Sequence, residues 1–130
     1  MTDTKTPAAG TIGWTDLTVQ NADAIRDFYA RVVGWTITPL DMGGYSDYLL
    51  LPPGSDQPIA GICHARGSNA DIPPQWLIYI IVQDVEVSAA ECVRSGGVVL
   101  THPRGLSGGR FCVIKDPAGA VCALFQPPAG

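Results

Sequence analysis

The sequence predicts an α+β fold: two tandem βαβββ modules forming a curled mixed sheet with a cleft. Three observations predict it. Residues 14–34 (WTDLTVQNADAIRDFYARVVG) and 77–97 (LIYIIVQDVEVSAAECVRSGG) align without a gap, so that Val19-Gln20 falls on Val82-Gln83, Arg31 on Arg94 and Gly34 on Gly97. Within each copy, apolar strand-like runs precede a helical pattern and three further short runs follow it. Between the copies, ARGSNADIPP (65–74) is polar and ends in two prolines, as a connecting segment does. We therefore place one domain over 1–130, with module one at about 11–64, a linker at 65–74 and module two at about 75–127.

The elements follow in order. Thr11–Val19 alternates loosely and reads as a strand. Ile25, Phe28, Tyr29 and Val32 recur at helical spacing, which predicts a helix with one apolar face; Asn21 or Asp23 is a plausible N-cap, and Gly34 a stop, since glycine accepts the left-handed conformation there. Three strands are expected near 36–40, 45–51 and 58–64, separated by Gly43-Gly44 and Pro52-Pro53-Gly54. Trp76–Val82 is almost continuously apolar, as a well-buried strand is. Val85, Ala89, Cys92 and Val93 mark a second helix, capped by Asp84 and stopped by Gly96-Gly97. Strands near 98–101, 110–115 and 120–125 complete module two, and the glycine-rich HPRGLSGG (102–109) reads as a mobile rim.

Composition narrows the function. The 130 residues are 46% hydrophobic and 15% charged, a globular balance, with a net charge of −4. The eight basic residues are scattered, which argues against nucleic acid and anionic membrane as partners. The polar start MTDTKTPAAG leads us to expect neither signal peptide nor membrane span, and a cytoplasmic protein. Four cysteines (Cys63, Cys92, Cys112, Cys122) lie far apart without a C-x-x-C pair, which predicts free thiols rather than a zinc knuckle. A duplicated half-buried sheet can enclose a shared concave space for a small ligand.

Trp14–Val19 (WTDLTV), Phe28–Trp35 (FYARVVGW), Trp76–Val85 (WLIYIIVQDV) and Gly109–Ala120 (GRFCVIKDPAGA) together resemble the vicinal oxygen chelate superfamily of glyoxalases, bleomycin-resistance proteins and extradiol dioxygenases, and within it a small antigen-like bacterial subgroup. The resemblance spans nearly the whole chain. It implies the glyoxalase-like fold, a cleft and homodimers. It also implies a divalent metal held by His and Glu, and by motif register those positions fall on Trp14, Leu77, Ala123 and near Ala60-Gly61. Such a metal needs about three or four converging donors, and none of these residues supplies one. We expect no metal and no other cofactor.

Candidate chemistry rests on fewer residues. Asp16 shares a strand face with Trp14 and could act as a general base if inward. Arg110 could hold an anionic group in the cleft, because guanidinium binds such groups bidentately; a salt bridge to Asp16 or another acid is the alternative. Trp14, Tyr48, Trp76, Tyr79 and Phe111 are expected ligand-facing aromatics, with plain packing the alternative for any one of them. His64 and His102 are the only histidines; with Asp16 they could make an unconventional metal set. The expected function is metal-independent binding of a small molecule. A lyase, isomerase or dioxygenase using an unconventional metal or an Asp16/Arg110 pair is the alternative, and a structural module the third reading.

Overall fold

The structure is a computed structural model and describes residues 7–129. Its elements are β1 (Ile12–Val19), α1 (Ala22–Val33), β2 (Thr36–Asp41), β3 (Ser46–Leu51), β4 (Ala60–His64), β5 (Trp76–Ile81), α2 (Val85–Arg94), β6 (Val98–Leu106), β7 (Gly109–Lys115) and β8 (Val121–Gln126). The α+β class and the twofold βαβββ order are those the repeat predicts. The chain forms two compact units: one is Trp14–Trp76, and the other joins the segment before Trp14 to Leu77 and beyond. The boundaries fall inside β1 and β5, and the 7–13 segment is clasped to the end of β5 by Gly10 N–H to Ile81 O and Ile81 N–H to Thr11 O, both 2.8 Å.

In the unit 14–76 the strands run in the order β2-β3-β4-β1. β1 is parallel to β4, with Asp16 beside Gly61 and Thr18 beside Cys63, while β3 is antiparallel to β4 and to β2. Leu17, Ala22, Tyr48, Leu50, Ala60 and Ile62 form the core under α1. The helix seats itself there through Ala22, which is fully buried, and through Ile25 and Tyr29, which are half-buried. Phe28 and Val32, expected on that apolar face, are 47% and 64% exposed; the stripe that packs is narrower than the helical pattern suggests. Asn21 is the N-cap but its side chain makes no capping bond. Asp23 instead accepts a short bond from the Tyr48 hydroxyl. The linker is anchored too: Ile72 is buried.

The second unit repeats the plan with the order β5-β8-β7-β6. β5 is parallel to β8, and β7 is antiparallel to both β8 and β6. α2 packs Val85 and Ala89 on Cys112 and Leu124. Asp84 caps it as expected, accepting from the N–H groups of Glu86 and Val87.

The 102–109 segment corrects the sequence expectation. It is the second half of β6 and a hairpin turn, not a rim. Ser107 and Gly108 both have positive φ, 51° and 81°, between the paired residues Leu106 and Gly109, the geometry of a two-residue hairpin that follows strand twist. His102 and Pro103 lie where the register shifts between Thr101 and Arg104. Proline fits there because β6 has only β7 beside it and a bulge needs no ladder donor at that point.

Candidate functional site

Alternation along the strands divides each sheet into a helix-bearing face and an opposite face. In the unit 14–76, Leu17, Tyr48 and Ile62 pack toward α1, so Trp14, Asp16, Thr18, Asp47, Gly61 and Cys63 belong to the other side. Direct geometry agrees: a Cβ on Gly61 would lie 3.5 Å from both Asp16 Cβ and Trp14 Cζ2. Asp16, Thr18 and Asp47 are buried polar residues. The Cys63 Sγ lies 4.0 Å from Asp16 Oδ2, within reach of a weak S–H···O bond. Burial first, and then the charges of Asp16 and Asp47, push the Cys63 thiol far above its ordinary range. It keeps its proton and is no nucleophile.

In the second unit the α2 face carries Cys112, Ile114, Leu124 and Ile80. Leu77, Tyr79, Phe111, Val113 and Ala123 take the opposite face and are all buried. Ala123 sits between Tyr79 on β5 and Val113 on β7. The Tyr79 and Phe111 rings are 6.1 Å apart and tilted by 30°, and the Arg104 guanidinium lies 5.0 Å above the Phe111 ring.

The family's metal positions therefore hold an indole (Trp14), a glycine the indole covers (Gly61), a leucine and an alanine. These residues do not fit a divalent cation, since none offers a nitrogen, oxygen or thiolate donor from its side chain. Among the described residues no group of three or more His, Cys, Asp or Glu is placed to hold one. The unconventional set does not assemble. The His64 ring lies between Asp47 (Nδ1 to Oδ1, 3.3 Å) and Asp23 (Nε2 to Oδ1, 3.4 Å), and its strand alternation matches Ile62, on the face away from Asp16. His102 is exposed on β6.

Other expectations sort by face. Arg110 is corrected: it shares the α2 side with Cys112 and Ile114, is exposed, and bonds Glu86 in the first turn of α2 and the Pro103 carbonyl at 3.2 Å. Its partner is Glu86, not Asp16. Tyr48 and Trp76 lie on the α1 side; the Tyr48 ring carries Arg26 at 4.7 Å, and Trp76 Nε1–H donates to the Tyr29 hydroxyl at 3.1 Å. Trp14, Tyr79 and Phe111 are the expected aromatics that take the faces away from the helices. Sequence reasoning missed Asp47, Thr18 and Cys63. The available signal was a polar residue at alternate positions in otherwise apolar strands.

Comparison with known proteins now adds the family. The profile of the family described as "Glyoxalase-like domain" matches residues 14–125. "Putative glyoxylase CFP32" of Mycobacterium tuberculosis is 31% identical over 119 residues, covering 91% of this chain and 44% of that protein. "Anthracycline biosynthesis protein DnrV" of Streptomyces peucetius is 31% identical over 123 residues, covering 93% of this chain and 43% of its own length. The chain thus spans less than half the length of these curated relatives. Among solved structures, methylmalonyl-CoA epimerase from Mycobacterium tuberculosis superposes with a TM-score of 0.55 at 17% identity, over 98% of this chain and 95% of that one. A Streptomyces coelicolor methylmalonyl-CoA epimerase in complex with 2-nitronate-propionyl-CoA gives 0.56 at 19% identity, over 94% and 100%. At such identity these two share the fold alone. The profile match over most of the chain, on a duplicated βαβββ framework, means that the chain belongs to the glyoxalase-like domain family of the vicinal oxygen chelate superfamily.

Proposed function

We propose that this chain is a metal-independent small-molecule binding protein of the glyoxalase/bleomycin-resistance type. The observation that carries the reading is the replacement of every expected metal donor by Trp14, Gly61, Leu77 and Ala123 on the faces away from the helices. Aromatic surface at Trp14, Tyr79 and Phe111 favours an apolar, planar ligand, because rings bind rings through offset and edge contacts. A relative named for anthracycline biosynthesis is consistent with a small organic ligand. The test is a thermal-shift screen of chelator-treated protein against a library of planar organic compounds. Stabilisation by a ligand, unchanged when Ni, Zn, Fe or Mn is added, is the expected result. Stabilisation that appears only with metal, or none at all, overturns the reading.

A second reading, a proton-transferring lyase or isomerase, is favoured by one observation: Asp16 is a carboxyl group with only 7% exposure on the same face as Trp14. A buried carboxyl is the kind of group that serves as a general base. Arg110 has no part in it. Deuterium exchange into the bound ligand in heavy water, lost in Asp16→Asn with affinity retained, distinguishes this enzyme from a binder.

A further inference from the structure

The α1 side of the unit 14–76 contains a feature that the binding face does not use. A depression of about 270 Å³ opens between the helix and the sheet. Leu17 and Val19 of β1 and Ile25 of α1 supply aliphatic walls, and Phe28, Tyr29 and Trp76 supply rings. Tyr29 meets Phe28 edge-on at 5.0 Å and 90°, and Trp76 at 5.3 Å and 81°. Pro74 and Gln75 complete the lining, which contains no charged residue.

The polar detail is specific. The Tyr29 hydroxyl accepts the Trp76 indole N–H, which leaves its own hydrogen to donate to another acceptor. Phe28 remains 47% exposed at the rim, so apolar area is still available to be covered. The volume falls just below the range that holds drug-sized ligands, about 300–1,000 Å³. An uncharged lining selects a neutral guest, since a buried charge without a partner is costly.

We propose that this depression is a second binding site, for a small, neutral, planar aromatic molecule carrying a hydrogen-bond acceptor that receives the Tyr29 O–H. It is separate from the face proposed above, because Leu17 and Val19 point to the opposite side of β1 from Trp14 and Asp16. A ligand there lies against the Trp76 indole, and a ligand on the other face lies against that of Trp14.

The test is a titration of the isotope-labelled full chain with coumarin and with naphthalene, following the indole N–H resonances of the three tryptophans. Coumarin has a carbonyl acceptor and naphthalene has none. Saturable movement of the Trp76 signal with coumarin, and not of the Trp14 signal, is expected. Tyr29→Phe keeps the ring and is expected to weaken coumarin about tenfold, the loss of one hydrogen bond, while leaving naphthalene affinity unchanged. Equal affinity of both proteins for coumarin overturns the proposal, as does a response at Trp14 alone or no saturable response up to coumarin's solubility. Movement of the Trp76 signal with protein concentration alone also overturns it, by making a second copy the occupant.

Discussion

Cys112 and Cys63 show how a residue's surroundings decide what it does. Both are thiols on central strands, but they face opposite sides of their sheets: one is packed under α2, the other lies beside Asp16. Burial pushes the Cys112 thiol up to about 11, with Cys92, Cys122 and Glu86 adding to the shift. In the unfolded chain the same thiol ionises near its ordinary value of 9.0. Below pH 9 both states hold the proton and the stabilising contribution is fully present; above it the unfolded chain loses the proton first, and stability declines as pH rises through 11. Urea midpoints measured at pH 8, 9.5 and 11 are expected to fall, and Cys112→Ala to fall less steeply over the same interval. The decline is not abolished, because the Cys63 and Cys122 thiols are raised as well. None of this was legible from the four scattered cysteines. Their number and spacing argue against a metal knuckle, but the face each occupies depends on strand register, which a one-residue slip reverses.

At the scale of elements, helix ends and glycine stops follow local chemistry and were legible. Asp84 sits just before an apolar periodic run and its carboxylate receives two backbone donors of α2. Asp84→Ala is expected to cost about 0.5–2 kcal/mol, read from urea denaturation, with the matching change at Asn21 costing less because that side chain makes no capping bond. Tertiary contacts overrode the sequence pattern elsewhere. Phe28 and Val32 follow the helical period but stay exposed, because the sheet beneath α1 meets only the Ala22-Ile25-Tyr29 stripe. Proline at 103 resembles a loop until the edge position and the register shift of β6 make room for it. Tyr48 and Trp76 were expected to meet a ligand as strand aromatics; their alternation points them to α1, and only coordinates reveal which parity each short strand adopts. The absence of metal donors at Trp14, Leu77 and Ala123, by contrast, needed only the motif register.

For the whole molecule, the repeat boundary in sequence and the unit boundary in space differ. The second unit is assembled from two separated pieces of chain, with Gly10 and Thr11 holding both backbone groups of Ile81. Deleting residues 7–11 removes these two bonds at the end of a central strand. The expected result is a lower urea midpoint and faster amide exchange at Ile81 than at Leu50, whose strand belongs wholly to the other unit.

The same clasp sets an order of events during synthesis. Residues 14–76 contain all that their own unit requires, so it can close while the ribosome is still extending the chain. The 7–13 segment leaves the ribosome earlier than either unit yet has nothing to pair with until β5 follows. It therefore waits as an unpaired strand edge, a state in which neighbouring chains can capture it. On this view a slowed ribosome within 52–76 lengthens the period of exposure, and a fusion partner ahead of residue 7 shields it.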